Sequence, residues 1–252
     1  MIAYRRRCVN VDEVWFNEVS APTGVDIVEY RQRPAPIRGG RCEPFHTRIV
    51  DLRRDPQEIF SEFKKDTRYE IRRAESKDEL SFDWLGTPEE SDVSSFCEFY
   101  DAFAATKSLA MLNRPHTLRY THARVLTFSR MRRGDGTMVI WHAYLRGGNR
   151  ARLLHSASLF READNSASRS LTGRANRLLH WLDMQKLRAE GVTEYDLGGW
   201  YPGDTDRALS AINAFKEEFG GRPAIEYNAV QCVTLKGTLY ALAARLLRGK
   251  KS

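Results

Sequence analysis

The chain has 252 residues, a formal net charge of +7 and a sequence pI near 9.3. A hydrophobic content of 42% with 11% aromatic residues excludes a disordered protein, and the length is enough to bury a sizeable core. No apolar run approaches the roughly 18–20 residues that span a bilayer, and no apolar signal segment follows the arginines at positions 5–7. The sequence therefore predicts a cytoplasmic globular protein without an integral membrane segment.

The cysteines and the arginines narrow the classes of ligand. The four cysteines lie far apart without a CxxC pair, which indicates reduced thiols; we predict neither a disulfide framework nor a metal site. The positive charge allows an anionic partner such as RNA, a phosphorylated donor or an anionic lipid surface. Arginines cluster at 68–73, 130–133 and 146–152, and their planar guanidinium groups favour phosphate contact over simple solubilisation.

The first 46 residues are predicted to form an N-terminal extension packed on the main domain. A strand-like run at 25–30 is separated from another at 47–52 by the proline- and glycine-containing segment 34–40. These short runs do not indicate a complete domain of their own.

Capped helices and a strand follow. Asp55 is a predicted N-cap, with proline at the first helical position, and a second capped helix begins near Thr87. Alternating apolar residues predict a half-buried strand at 80–84. A further helix is predicted after Pro115, with Leu126 on its inward face.

The order of elements in the second half predicts a mixed α/β sheet with helices on both faces. Two strands joined by the glycine-rich turn at 147–149 form a predicted antiparallel hairpin. The elements expected after the hairpin are a loop at 161–172, a helix at 173–190, a strand at 193–197, a helix at 206–219 and a strand at 223–233. Residues 235–252 form a basic amphipathic helix, for which packing on the domain and contact with a membrane surface are both open.

Two segments near the C-terminus carry the most chemical information. The sequence YDLGGW occupies 195–200, and FKEEFGG occupies 215–221. Carboxyl ends of strands in α/β sheets are favoured ligand positions, and glycines there expose backbone amides. The alternative is that Asp196 caps local amides and the glycines only turn the chain.

With the helix at 176–191, these segments resemble the Fem-type aminoacyl-tRNA-dependent transferases, a branch of the GNAT N-acyltransferase superfamily. The resemblance implies a GNAT-like domain over 47–234, no cofactor, an aminoacyl-tRNA donor and an amine of a small or peptide-like acceptor. Fem-type enzymes usually carry two tandem GNAT-like domains. This chain is too short for two, so the first domain is missing or reduced to the extension.

Lys216 is the first candidate for a catalytic residue. Ala208, Ile212, Phe215 and Phe219 occupy one helical face, which is expected to be buried and to leave Lys216 at its edge. The resemblance assigns this lysine to the oxyanion that forms when an amine attacks an ester or thioester. The alternative is a solvated helix lysine. Asp196 is the second catalytic candidate.

The remaining candidates are expected to bind donor or substrate: Arg68, Arg72, Arg73, Arg169, Gly173, Asn176, Gly198, Gly199, Trp200 and Tyr201. Residues 169–176 stand where a GNAT enzyme cradles the pyrophosphate of coenzyme A at a helix start, although Ser170 replaces the expected glutamine or arginine. Arginines three and four apart on a helix can grip one phosphate, or they can form an exposed basic face.

Two rival functions stay open. The first keeps the fold but uses an acyl-CoA donor, acting on an amine such as that of an amino sugar. The second is a catalytically silent GNAT-like module that binds RNA or a protein. The six histidines show no ligand spacing, and His142 and His155 are expected to be structural.

Overall fold

The computed structural model describes residues 1–19, 23–158 and 166–249, with side chains of the last helix described to Leu246. In chain order the elements are β1 (Ile2–Arg6), β2 (Val9–Trp15), β3 (Ile27–Arg33), β4 (Arg41–Asp51), α1 (Pro56–Ser61), α2 (Lys65–Lys77), β5 (Leu80–Leu85), α3 (Glu90–Ala105), α4 (Arg114–His122), β6 (Leu126–Arg133), β7 (Met138–Gly147), β8 (Arg150–Ser158), α5 (Ser166–Ala189), β9 (Glu194–Gly199), α6 (Arg207–Glu217), β10 (Arg222–Cys232) and α7 (Leu235–Gly249).

The chain forms two compact units. Unit 1 comprises residues 1–47 and 224–252, and unit 2 comprises residues 48–223. The sequence-based division at 46/47 lies next to the first boundary. The division at 234/235 does not match a boundary, because residues 224–234 group with the N-terminal residues instead of with the predicted domain.

Unit 1 has the strand order β1-β2-β3-β10-β4. Strands β2 and β3 are parallel, whereas β1 with β2 and β3 with β10 are antiparallel. Val9, Val11 and Ile27 form a small core, against which Tyr240 of α7 packs. Strands β1 and β2 were not predicted, because charged residues interrupt the apolar alternation of both.

Unit 2 runs from the end of β4 through β9, β8, β7 and β6 to β5. Strands β5 to β8 are antiparallel, and β9 is parallel to β8. Neighbouring residues of β7 point to opposite faces: Ile140 joins the core that contains the inner side of α5, and Trp141 packs against Phe96 of α3. The predicted mixed α/β fold with helices on both faces is therefore confirmed, as is the β7–β8 hairpin.

The prediction that the helix after Pro115 includes Leu126 is wrong. Helix α4 ends at His122, and Leu126 begins strand β6. The arginines that obscured this strand form ion pairs across the sheet. Arg130 Nε lies 2.9 Å and Arg132 Nη2 3.2 Å from Oδ2 of Asp83 on β5. This arginine cluster therefore serves strand pairing.

The predicted helix start near Gly173 is also wrong. Helix α5 already begins at Ser166, so Arg169, Gly173 and Asn176 lie on its helical turns and their amides do not form a helix N-terminus. Residues 161–165 of the predicted loop lie outside the described residues. The glycine is tolerated within the helix because α5 packs through neighbouring residues such as Ala175 and Leu178.

The predicted apolar face of α6 is buried only in part. Phe215 packs against the core and Phe219, just after the helix, is fully buried. Ala208 is exposed and Ile212 is 48% exposed, whereas Asn213 and Lys216 are buried. Both buried side chains donate hydrogen bonds to backbone carbonyls near the end of β9. These bonds offset the burial of the two polar groups, while Ala208 and Ile212 of the apolar stripe face solvent.

Two substitutions, one in α6 and one just after its end, test this orientation. Phe219→Ala should lower the free energy of unfolding by roughly 3–5 kcal/mol, because Phe219 is fully buried among aromatic rings. Ile212→Ala should change it by less than about 0.5 kcal/mol, since the side chain is half exposed. Urea unfolding measures both. Equal losses would mean that Ile212 is also buried.

Candidate functional site

The candidate site lies in unit 2, where β9 leaves β8. The two strands pair in parallel, and the last described pair is Arg152 with Asp196. Two residues later, Gly198 has φ +76°, and a Cβ there would lie 2.7 Å from the carbonyl oxygen of Leu153. Only glycine allows this conformation and this close approach. The strand predicted at 193–197 thus lies beside the second strand of the predicted hairpin, and the backbone turns at Gly198.

Asp196 is fully buried, and its carboxylate holds local groups. Oδ2 lies 2.6 Å from Arg150 Nη2, and Oδ1 accepts a hydrogen bond of 2.8 Å from the amide of Gly198. A buried ion pair persists only with such additional hydrogen bonds, because both charges have lost their water. These contacts favour the alternative in which Asp196 organises the turn.

Lys216 places a buried ammonium group at the end of β9. Its Nζ donates to the carbonyl oxygen of Gly199, and the residue is only 9% exposed. Burial lowers the pKa of Lys216 to about 8, while the nearby Asp196 carboxylate raises it and Arg152 lowers it. The ammonium is still mostly protonated at pH 7. The alternative of a solvated helix lysine is therefore wrong.

Two further side chains fix the segment after β9. Asn213 accepts from the amide of Tyr201 at 3.1 Å and donates to its carbonyl oxygen at 2.7 Å. The guanidinium of Arg48 lies 5.2 Å from the ring centroid of Trp200 and donates to the carbonyl oxygen of Gly220 at 2.6 Å. Neither Asn213 nor Arg48 was predicted from the sequence to contact this segment. Asn213 stands three residues before Lys216, on the same helical side, which is the signal that could have identified it.

A buried polar network lies beneath this turn. Its members are His142, Tyr144, Asn176, His180, Asp183 and Tyr195. Tyr195, which precedes Asp196, bonds to the hydroxyl of Tyr144 at 2.7 Å and to Nδ1 of His180 at 2.6 Å. Burial raises the pKa of both tyrosines and lowers the pKa of His180, so these groups stay neutral. His142 belongs to this hydrogen-bonded network, as its predicted structural role requires.

The predicted arginine face of α2 has mixed surroundings. Arg68 donates to the carbonyl oxygen of Ser61 at 2.8 Å, and the guanidinium of Arg72 lies 5.4 Å from the ring centroid of Phe60. Arg73 is exposed, as is Arg169 on α5. Helices α2 and α6 are linked where Thr67 donates to Glu218 at 3.0 Å.

Among the described residues, no group of histidine, cysteine and carboxylate side chains has the geometry of a metal site. Nor does any described helix have the length and hydropathy needed to cross a membrane. What the site offers is a fixed positive charge beside a backbone turn. In a water-poor setting, such a charge stabilises a developing anion more strongly than it would in water.

Comparison with known proteins identifies the family. Residues 61–217, more than half of the chain, match the family model described as an acetyltransferase (GNAT) domain. A comparison with curated proteins finds no match. The structure of FemX is similar with a TM-score of 0.59 and 13% sequence identity; the match covers 78% of this chain, which spans 63% of FemX.

Two other solved structures share the fold. The C-terminal DUF2156 domain of an Agrobacterium fabrum protein, described as a lysylphosphatidylglycerol synthetase, gives a TM-score of 0.52 at 18% identity, covering 88% of this chain and 73% of that one. L-PGS from Bacillus licheniformis gives 0.51 at 14% identity, covering 87% and 72%. The resemblance to Fem-type GNAT proteins is thus confirmed at the level of the fold.

The buried charge of Lys216 should make stability depend on pH. Because the pKa is about 8 in the folded protein and ordinarily 10.5, the unfolded chain binds more protons between these values. The free energy of unfolding should therefore rise with pH in this window, by up to about 3 kcal/mol. Lys216→Met should lack this rise in urea unfolding between pH 7 and 10.

Lys186→Met is the matched control, because Lys186 lies in the same unit with a side chain that is 43% exposed. The control should follow the wild-type pH profile. Parallel profiles for wild type and Lys216→Met would show that the ammonium of Lys216 is not buried as described.

Proposed function

This chain belongs to the acetyltransferase (GNAT) family, and we propose that it is an N-acyltransferase that transfers an aminoacyl group from aminoacyl-tRNA to an amine of a small or peptide-like acceptor. The observation that carries the proposal is the buried ammonium of Lys216 at the end of β9. A lysine is costly to bury. Because Lys216 lies beside the exposed Gly199, its position supports a role in catalysis in addition to packing.

The proposed reaction needs no covalent enzyme intermediate. The acceptor nitrogen attacks the ester carbonyl carbon of the donor, a C–N bond forms, and the carbonyl electron pair moves onto oxygen. Lys216 stabilises this oxyanion. Collapse re-forms the carbonyl and breaks the bond to the ribose oxygen, which takes up the proton that the nitrogen releases. The products are an amide and free tRNA.

The other residues near Lys216 are assigned supporting roles. Asp196 is a positioning residue, because its carboxylate is bound by Arg150 and Gly198. Gly199, Trp200 and Tyr201 form the backbone wall against which the donor carbonyl would lie.

Asn176 supports the polar network beneath the site. Its Oδ1 lies 3.0 Å from Nε2 of His142. The side chain of Asn176, which was predicted to bind the donor, is therefore bonded to the network. Because α5 begins before Arg169 and Gly173, their amides do not form a helix N-terminus. Only the resemblance to Fem-type transferases supports their assignment as donor contacts.

Aminoacyl-tRNA is favoured over acyl-CoA as donor for two reasons. The motifs resemble those of Fem-type transferases, and FemX and the lysylphosphatidylglycerol synthetase domain share the fold. In addition, Gly173 lies within α5 instead of at its start, which removes the partial match to a coenzyme A signature. The exposed part of the α2 arginine face offers charge for tRNA phosphates.

A donor panel tests the reaction class. Charged tRNA pools, acetyl-CoA and longer acyl-CoAs are each incubated with the protein and a set of primary amines, and amide products are detected by mass spectrometry. Turnover with charged tRNA is expected. Turnover with acyl-CoA alone would show that acyl-CoA, not aminoacyl-tRNA, is the donor. RNA binding without turnover of any donor would favour the catalytically silent module.

Lys216 variants test the catalytic role with the active donor. Lys216→Ala should lower kcat by roughly 10²–10³ with little change in KM, the scale for losing one oxyanion donor. The wild-type kcat should fall as pH rises through about 8, because the ammonium is then lost. Lys216→Arg should keep part of the activity and lose this limb, since arginine stays charged.

The exposed Lys186 again supplies the control, and Lys186→Ala should match the wild type in kcat and pH profile. A nearly wild-type kcat in Lys216→Ala would show that the buried lysine is structural.

Arginines of α2 should contribute to tRNA affinity. Replacing Arg72 and Arg73 by alanine should weaken binding of charged tRNA. The slope of log affinity against log salt concentration should become smaller by about 1 for each lost phosphate contact. The control removes Arg53 and Arg54, which are bound to Asp51 and Glu62 and have less free charge to offer. Equal effects in both variants, or binding that ignores salt, would argue against this surface.

A further inference from the structure

Helix α7 presents its leucines to solvent. Leu235, Leu239, Leu242 and Leu246 are between 53% and 76% exposed. At about 100° per residue they fall within an arc of about 60° along one side of the helix. A surface helix of a globular protein normally turns such a stripe inward. The stripe of α7, defined as these four leucines, instead forms a continuous apolar ridge on unit 1.

The opposite side of α7 explains this orientation. Gly237, Ala241 and Ala244 lie about 180° to 240° around the helix from Leu235. A Cβ on Gly237 would lie 2.2 Å from the carbonyl oxygen of Asp26, so the backbone of the helix approaches β3 closely. Small residues permit this approach, and Tyr240 packs on the unit 1 core. The helix is therefore held by its small face, and the leucines have to remain outside.

The start of α7 is anchored in the same direction. Asp26 accepts hydrogen bonds from Thr234 Oγ1 at 2.7 Å and from Lys236 Nζ at 3.0 Å, and Thr234 Oγ1 in turn accepts from the amide of Gly237. The hydrogen bond from the amide of Asn10, followed by those from Thr234 and Lys236, lowers the pKa of Asp26 to about 2. The outward position of the leucines is thus built into the sequence around the helix start.

The charge around the stripe specifies what covers it. Residues 235–252 contain five lysines and arginines and no aspartate or glutamate. Lys236 and Arg245 lie on either side of the leucine arc. Arg245 and Leu242 also line an open cavity of about 930 Å³, together with Arg6, Arg31 and Arg41. Although Glu29 binds Arg6 and Arg31, arginines outnumber glutamates in this lining.

We infer that α7 is an interfacial helix that docks unit 1 on the surface of an anionic phospholipid bilayer. The leucine stripe enters the boundary between headgroups and acyl chains, and the exposed Arg245 beside it meets lipid phosphates. A basic helix with an outward apolar ridge fits this surface, whereas a second copy of this net basic chain offers less charge complementarity. The inference is independent of the acyl-transfer proposal.

Vesicle sedimentation of the full chain tests the inference. Vesicles of phosphatidylcholine with phosphatidylglycerol should bind the protein, pure phosphatidylcholine should bind it weakly, and salt should reduce the binding. Leu239→Glu with Leu242→Glu should lower the partition coefficient by at least about tenfold, because two apolar anchors are lost. Circular dichroism should show an unchanged fold, since both side chains are exposed.

The matched control is Met111→Glu with Ile225→Glu, which changes charge equally at two exposed apolar positions outside α7. It should retain most of the binding. Equal loss in both double variants, or no binding to anionic vesicles, would overturn the inference. Light scattering supplies the remaining outcome: a dimer that the Leu239 and Leu242 substitutions dissociate, without vesicle binding, would identify a second copy as the occupant and also overturn it.

Discussion

The buried ion pair between Arg150 and Asp196 is the constraint on which the candidate site depends. It joins the first residue of β8 to the residue at which β9 makes its last described pair with β8. Because both charges are removed from water, the pair is stable only while its geometry and the bond from the Gly198 amide persist. The turn that follows is therefore fixed in one conformation, and Gly198 is the residue that allows it.

That turn explains why a polar face of α6 points inward. The carbonyl oxygens of Gly199 and Tyr201 need donors once the chain has left the ladder, and Lys216 and Asn213 supply them. Satisfying these backbone groups contributes more to stability than burying Ile212 would. Ile212 is only half exposed, so the hydrophobic free energy lost there is small. The same bonds give the ammonium of Lys216 a fixed position, which is what stabilisation of an oxyanion requires.

The sequence predicted the parts of the fold that have strong local signals. Glycine at 191 and 220 ended helices, the turn at 147–149 formed the hairpin, and Asp55 capped α1. Strand β6 was missed because its arginines resemble a surface cluster, while their partner Asp83 lies on another strand. Lys216 and Asp196 were selected from their motifs, and the structure places both at the end of β9. Arg48 and Arg150 were not assigned to the site, since no local pattern shows that they contact Trp200 and Asp196.

Helices α6 and α7 show the same limit of periodicity for opposite reasons. In both, the spacing of apolar residues identifies one side of the helix but not how much of it the protein covers. In α6, Phe215 packs on the core while Ile212 is exposed. In α6, hydrogen bonds to backbone carbonyls turn Asn213 and Lys216 inward. In α7, the close approach at Gly237 requires small residues inside and leaves the leucines outside. An exposed apolar ridge has a cost in water, so each such inversion marks a place where another requirement is stronger. For α6 that requirement is the bonding of the carbonyl oxygens of Gly199 and Tyr201, and for α7 it is the close approach of Gly237 to the carbonyl oxygen of Asp26.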